Sequence, residues 1–197
     1  MSQALARLHE LFPAQRIDPI IEERPRWCHS ELVGRLVELS GQGATATLTL
    51  AFGLLLDAQR LGETAAWVAA GPRLFYPPDV AEGGVDLAAL AVIRTHGAAA
   101  AARAADRLLR SGAFGLLVLD LGRAAGDGNH ETIPMPLLSR LVKLAQKHEA
   151  TILCLTEKNE QMPSIGSLVS LRCEATRRRL DNDRFSCELR VLKDKRR

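Results

Sequence analysis

Leu36-Val37-Glu38-Leu39-Ser40-Gly41-Gln42-Gly43-Ala44-Thr45-Ala46-Thr47-Leu48-Thr49-Leu50 decides how the rest of this chain is read. A short apolar run meets two glycines and then a second apolar run, the strand–loop–helix layout of a phosphate-binding loop. A loop that works on nucleotide reads G-x-x-x-x-G-K-[ST]. Its amides cradle phosphates, its lysine neutralises them and its hydroxyl ligates magnesium. Counted from Gly41, the second glycine position falls on Ala46 and the lysine position on Thr47, and the first lysine of the chain is Lys143. The scaffold is written here without the charge that gives it a nucleotide.

Outward from that loop the chain alternates. A strand is expected over 35–39, a helix from Ala46 to Arg60 ended by Gly62, and a strand over Ala65–Ala70. Residues 71–84, with Pro72, Pro77 and Pro78, read as a loop. A short strand over Ala91–Arg94 leads to an alanine-rich helix, Ala98–Arg110, closed by Ser111-Gly112. Phe114–Asp120 is wholly apolar up to its aspartate, as a parallel strand covered on both faces must be. A glycine-containing loop over 122–134, a helix over Pro136–His148 and a buried strand over Thr151–Leu155 follow. Then the pattern changes: Val169, Leu171, Cys173 and Ala175 alternate with polar residues, and Phe185, Cys187, Leu189 and Val191 repeat the alternation after Asp181-Asn182-Asp183. That is an antiparallel hairpin with one wet face. The expected fold is α/β, a mainly parallel sheet flanked by helices and extended by a C-terminal β-hairpin.

At 197 residues the chain holds one sizeable core. We divide it into residues 1–31, an amphipathic helix and connector, and 32–197, the α/β domain. Leu5, Leu8, Leu11 and Phe12 fall on one face of the leading helix, which Pro13 stops; this face is the candidate partner contact. Apolar residues at 47% and charged residues at 25% fit a soluble globular protein, and aromatics at 4% leave no base-stacking platform. No apolar run reaches membrane-spanning length and no secretory pattern opens the chain, so a cytoplasmic protein is expected. The cysteines, Cys28, Cys154, Cys173 and Cys187, lack metal-ligand spacing; the last three sit in strand-like settings and read as buried thiols. The five histidines lie on separate elements, and no metal is expected.

Residues 172–197 carry ten Lys or Arg against five Asp or Glu, within a net charge of +3 for the whole chain. Arg177, Arg178, Arg179 and Arg184 cluster at the hairpin turn, and Lys193, Lys195, Arg196 and Arg197 finish the chain. They are candidates for weak, sequence-independent DNA binding or for an acidic protein partner; a solvated basic terminus is the plain alternative.

The order of elements and several strings resemble the RecA core. Gly34-Arg35-Leu36-Val37-Glu38-Leu39 is similar to the strand before the RecA phosphate loop, and Thr47-Leu48-Thr49-Leu50 to the helix after it. Gly84-Val85-Asp86-Leu87, Leu109-Arg110-Ser111-Gly112-Ala113 before Val118-Leu119-Asp120, and Arg190-Val191-Leu192-Lys193-Asp194-Lys195 resemble three further RecA stretches in the same order. Gly41, Gly43, Thr47 and Asp120 then form a vestigial nucleotide site. The loop is shorter than RecA's and lacks its lysine, and Trp67-Val68-Ala69-Ala70-Gly71 offers no carboxylate where RecA carries its water-activating glutamate. Phosphoryl transfer needs lysine, metal and a positioned water together, so no catalytic residue and no cofactor is expected.

Among RecA-like proteins without catalytic machinery, the chain most resembles the ImuA group. The strings are Leu108 through Leu121 and Leu153-Cys154-Leu155-Thr156, and the alanine and arginine richness suits a high-GC bacterial member such as a myxobacterial one. That resemblance implies an accessory protein of SOS-induced translesion synthesis that binds an ImuB-like protein, RecA or both, and limits RecA filament growth. A SulA-like division inhibitor and a residual ATP-binding RecA paralogue are the alternatives.

Overall fold

The short apolar runs become strands because each is buried on both sides. β1 (Leu36–Ser40), β2 (Ala65–Ala69), β4 (Leu116–Gly122) and β5 (Thr151–Thr156) are buried at every position. Such strands stay in a fold only where helices cover both faces of a parallel sheet. The computed structural model describes residues 27–43, 45–71, 75, 77–122, 133–180 and 185–195.

With β3 (Leu90–Arg94), β6 (Leu171–Arg179) and β7 (Phe185–Asp194) these strands form one seven-stranded sheet, in the order β3-β2-β4-β5-β1-β6-β7. Every pair is parallel except β6–β7, which is antiparallel. The expected α/β architecture with its C-terminal hairpin is therefore what the chain adopts. β1 lies between β5 and β6, so the first strand in sequence is an interior strand of the sheet.

Two cores follow from the two faces. On one, α2 (Thr47–Arg60) buries Leu54, Leu55 and Ala58 against Val37, Leu39 and Trp67. The Trp67 ring lies 5.1 Å from Phe52 and 5.4 Å from Phe75, centroid to centroid. On the other, α4 (Ala98–Ser111) and α5 (Met135–Lys147) cover Val68, Leu117, Leu119 and Ile152. The alanines Ala101, Ala102 and Ala105 let α4 lie close to the sheet, and Gly112, at φ +68°, ends that helix in the left-handed conformation. Asp106 ties the two helices together: one oxygen lies 3.0 Å from Arg110 Nε and the other 3.0 Å from Arg140 Nε.

A short helix, α1 (His29–Leu32), docks on α2: the His29 amide donates to Asp57 Oδ2 at 2.6 Å and Trp27 Nε1 to the Leu50 carbonyl at 3.0 Å. Leu5, Leu8, Leu11 and Phe12 lie outside the described residues.

Two expectations are corrected. Within the stretch read as a loop, Pro77–Glu82 forms a helix, α3, that buries Val80. The prolines open it, where a missing N–H costs nothing and the fixed φ is already helical. The apolar alternation of β7 was read as a core face, with Cys187 buried. Instead Phe185 is 46% exposed, Val191 36% exposed and Cys187 exposed; only Leu189 packs on the core. The sheet outruns α2 there, so alternation marks which face a side chain takes, not whether anything covers it.

Burial raises the Cys154 thiol far above its ordinary range and pushes Cys173 up to about 12. Both stay protonated and inert at neutral pH. Labelling the folded protein with a thiol reagent at pH 8 should modify Cys187 first and leave Cys154 and Cys173 untouched until denaturant is added; early modification of either would contradict this burial.

Candidate functional site

A cleft of about 290 Å³ opens where β1, β4 and β5 end, at the carboxyl edge of the parallel strands. That edge is where open α/β sheets place ligands. Its walls come from the β1–α2 loop and first helical turn (Gly41, Gly43, Thr45, Thr47, Leu48), from Asp120 on β4, and from Leu155, Thr156 and Glu157. Gly41, Gly43 and Thr47, from one loop, and Asp120, from β4, line the same cleft.

The interior of the loop is occupied by its own side chains. Thr45 Oγ1 donates to the Ala175 carbonyl at 2.7 Å, accepts the Thr47 amide at 3.3 Å and lies 2.7 Å from Thr47 Oγ1. Because the Thr45 proton goes to Ala175, Thr47 is the donor in the hydroxyl pair. Both hydroxyls and the leading amide of α2 are therefore used inside the loop. Gly41 permits this: a Cβ there would stand 2.1 Å from Thr45 Oγ1 and 2.7 Å from Thr47 Oγ1. Gly43, at φ +71°, makes the bend. Thr45 falls at a variable position of the motif template, so the sequence shows its hydroxyl but not its bond to Ala175.

The charge lining the cleft is negative. Asp120, 8% exposed, and Glu157 are its ionisable residues, and no cation lines it among the described residues. Asp120 sits inside β4 rather than at its end, two residues before Gly122 and next to an irregularity in the β4–β5 register.

One wall of the cleft is held by a buried ion pair that the sequence did not single out. Glu38 projects from β1 with no exposed surface, and Lys158 Nζ lies 2.8 Å from its Oε1. The remaining acceptor capacity is filled by Thr156 Oγ1 at 3.1 Å, Ser164 Oγ at 2.6 Å and the Ile165 amide at 3.1 Å. Lys158 also donates to the Pro163 carbonyl at 2.9 Å. The segment after β5 is thereby clamped to the sheet, and its cation is 2% exposed. A lone carboxylate inside an apolar strand was the available signal.

The basic residues do not form one patch. Arg179 pairs with Phe185 at the turn end of the hairpin and Arg172 with Lys193 at the other. At strand rise these ends are about 23 Å apart. Arg177 lies over the Phe185 ring, 3.6 Å from its centroid. Lys195 donates its ammonium to the Ser167 carbonyl, and the Lys193 side chain is half-buried. Arg184, Arg196 and Arg197 lie outside the described residues.

Comparison with curated proteins finds partial matches to RecA. The chain is 39% identical to RecA of Nocardioides sp. over 118 residues, covering 57% of this chain and 33% of that protein. Over that stretch the chain is similar to RecA. It is likewise 33% identical to RecA of Thermotoga maritima over 118 residues, covering 57% and 33%, and 39% identical to RecA of Rubrobacter xylanophilus, covering 57% and 34%. The chain spans about a third of the length of these RecA proteins. No family model matches it. Among the described residues no helix is long and apolar enough to cross a membrane.

The clamp gives a stability test. Lys158→Met leaves Glu38 buried without its cation, which costs roughly 3–5 kcal/mol. Urea denaturation should show that loss, with partial recovery in the Glu38→Gln/Lys158→Met double variant; a loss under 1 kcal/mol would mean that the pair does not hold the segment.

Proposed function

We propose that this chain is a RecA-like protein that has exchanged nucleotide chemistry for partner binding, an accessory factor of SOS-induced, error-prone translesion synthesis like the ImuA group. The observation that carries the reading is the state of the β1–α2 loop: Thr45 and Thr47 turn inward on each other and on Ala175. ATP and magnesium, which RecA ancestry would bring, do not fit these residues. The lining residues include the carboxylates Asp120 and Glu157 but, among the described residues, no lysine to supply the charge that a phosphate loop uses.

A protein built this way acts through its surface. Its partners on this reading are RecA and an ImuB-like protein, with the leading helix face (Leu5, Leu8, Leu11, Phe12) as first contact and limitation of RecA filament growth as the outcome. The buried Lys158 supports the same reading, since the segment after β5 keeps its cation from solvent.

The test is one preparation of the full chain assayed for ATP turnover, for a thermal shift with ATP and magnesium, and for capture of RecA and an ImuB-like protein. Capture without turnover or shift is expected, with capture lost in Leu8→Asp/Phe12→Asp at an unchanged melting temperature. Turnover that disappears in Asp120→Ala would replace this reading with an enzyme.

Weak binding of single-stranded DNA through the hairpin arginines is compatible with the adaptor role. Affinity should then fall steeply as salt rises from 50 to 200 mM, and replacing Arg177, Arg178 and Arg179 with Ala should flatten that slope by up to about three counterions. Binding indifferent to salt would exclude a phosphate contact.

A further inference from the structure

β7 ends the sheet, and among the described residues β6 is the only strand paired with it. Its outer edge therefore presents a row of backbone donors and acceptors. Monomeric proteins blunt such an edge with proline, a short strand, charge or a bulge. β7 runs ten residues with no proline or glycine, and its register against β6 shifts only between Val191 and Lys193, so the stretch 185–191 is regular and Lys193 stands beyond it. One of its faces carries Phe185, Cys187 and Val191, all exposed, with the half-buried Leu189 between them. The other carries Glu188 and Arg190, with side chains 52% and 64% exposed.

We propose that a second copy of this chain occupies this edge, its β7 lying antiparallel to the first about a two-fold axis through Leu189. The argument is the self-complementarity of the strand. Directly opposite residues of antiparallel strands point to the same face. In this register Leu189 meets the partner's Leu189, Cys187 meets the partner's Val191, and Glu188 meets the partner's Arg190. By symmetry the charge pair forms twice. Moving the axis to 188 sets two glutamates opposite each other, and moving it to 190 sets two arginines opposite. Either is unfavourable at a directly opposed position. An isologous contact of this kind closes on itself and joins the two sheets into one.

The existing neighbours of these charges do not compete. Arg178 lies 3.8 Å from Glu188, and Arg190 pairs with Glu160, both at exposed positions where such pairs contribute little. The proposal is independent of the RecA-like reading, since it uses only the edge strand.

Val191→Cys tests the register with the native Cys187. Opposed Cα atoms would stand about 4.5–5.5 Å apart, within disulfide range. In one chain, residues 187 and 191 are about 13 Å apart along the strand and cannot bridge. Mild oxidation of the full chain should give a disulfide-linked dimer for Val191→Cys and none for the unsubstituted protein. Sedimentation equilibrium supplies the second readout. Glu188→Lys and Arg190→Glu should each weaken the dimer about tenfold or more, and the double charge swap should restore it. A protein that stays monomeric and uncrosslinked, because its own chain or nothing at all covers the edge, would overturn the proposal. A dimer indifferent to both charge variants would overturn it equally.

Discussion

The contact between Glu38 and Lys158 is the constraint on which this molecule turns. A carboxylate at the centre of a sheet is tolerable only with a cation and enough donors, since desolvating it alone costs several kcal/mol. Here every acceptor direction of Glu38 is taken, and the groups that take them, Thr156, Lys158, Ser164 and Ile165, all belong to the end of β5 and the segment after it. Satisfying one buried charge therefore fixes a stretch of irregular backbone that would otherwise have no reason to adopt one shape. Thr156, which donates to Glu38, and its neighbour Glu157 line the cleft, so part of the cleft's outline is set from inside the sheet.

The cleft itself keeps the layout of a ligand site in an α/β sheet. The strand, the bend at Gly43 and the helix N-terminus remain where such elements belong in an α/β sheet. What differs is where the hydrogen bonds go. Hydroxyls that face outward bind ligands; Thr45 and Thr47 face each other and β6, and tie the loop to the neighbouring strand through Ala175. The bare Gly41 makes room for the Thr45 and Thr47 hydroxyls.

Most of the sheet was legible in the sequence because its strands are short, continuous and apolar, a pattern with little helical ambiguity once glycines and helices punctuate it. Helix boundaries such as Thr47–Arg60 and Ala98–Ser111 agree with expectation to within a residue, since caps and glycines mark them locally. Gly41, Gly43 and Thr47 stood together because the loop template spans them, and Asp120 joined them through the resemblance to RecA; all four line one cleft. Glu38 with Lys158, and Arg35 with Asp194, were not, because each pair is 120 or more residues apart in sequence and no local rule joins them. The exposed face of β7 escaped for a related reason: alternation is a property of one strand, whereas coverage depends on how far a helix elsewhere extends. Pro77–Glu82 was missed because two prolines read as loop unless they open a helix.

The Arg35–Asp194 bridge bears on how the chain acquires its structure. Arg35, at the entrance to β1, reaches Asp194 Oδ1 at 2.5 Å and the Ser170 carbonyl at 3.0 Å, so it joins the beginning of the sheet to its last strand. β1 is interior, and both of its neighbours, β5 and β6, are made more than a hundred residues later. A nascent chain leaving the ribosome must hold an apolar first strand without either partner until most of the sequence has emerged. Long-range pairing of this kind slows folding and prolongs exposure of sticky surface. The cell's need to shelter that strand during synthesis is therefore written into the sheet order itself.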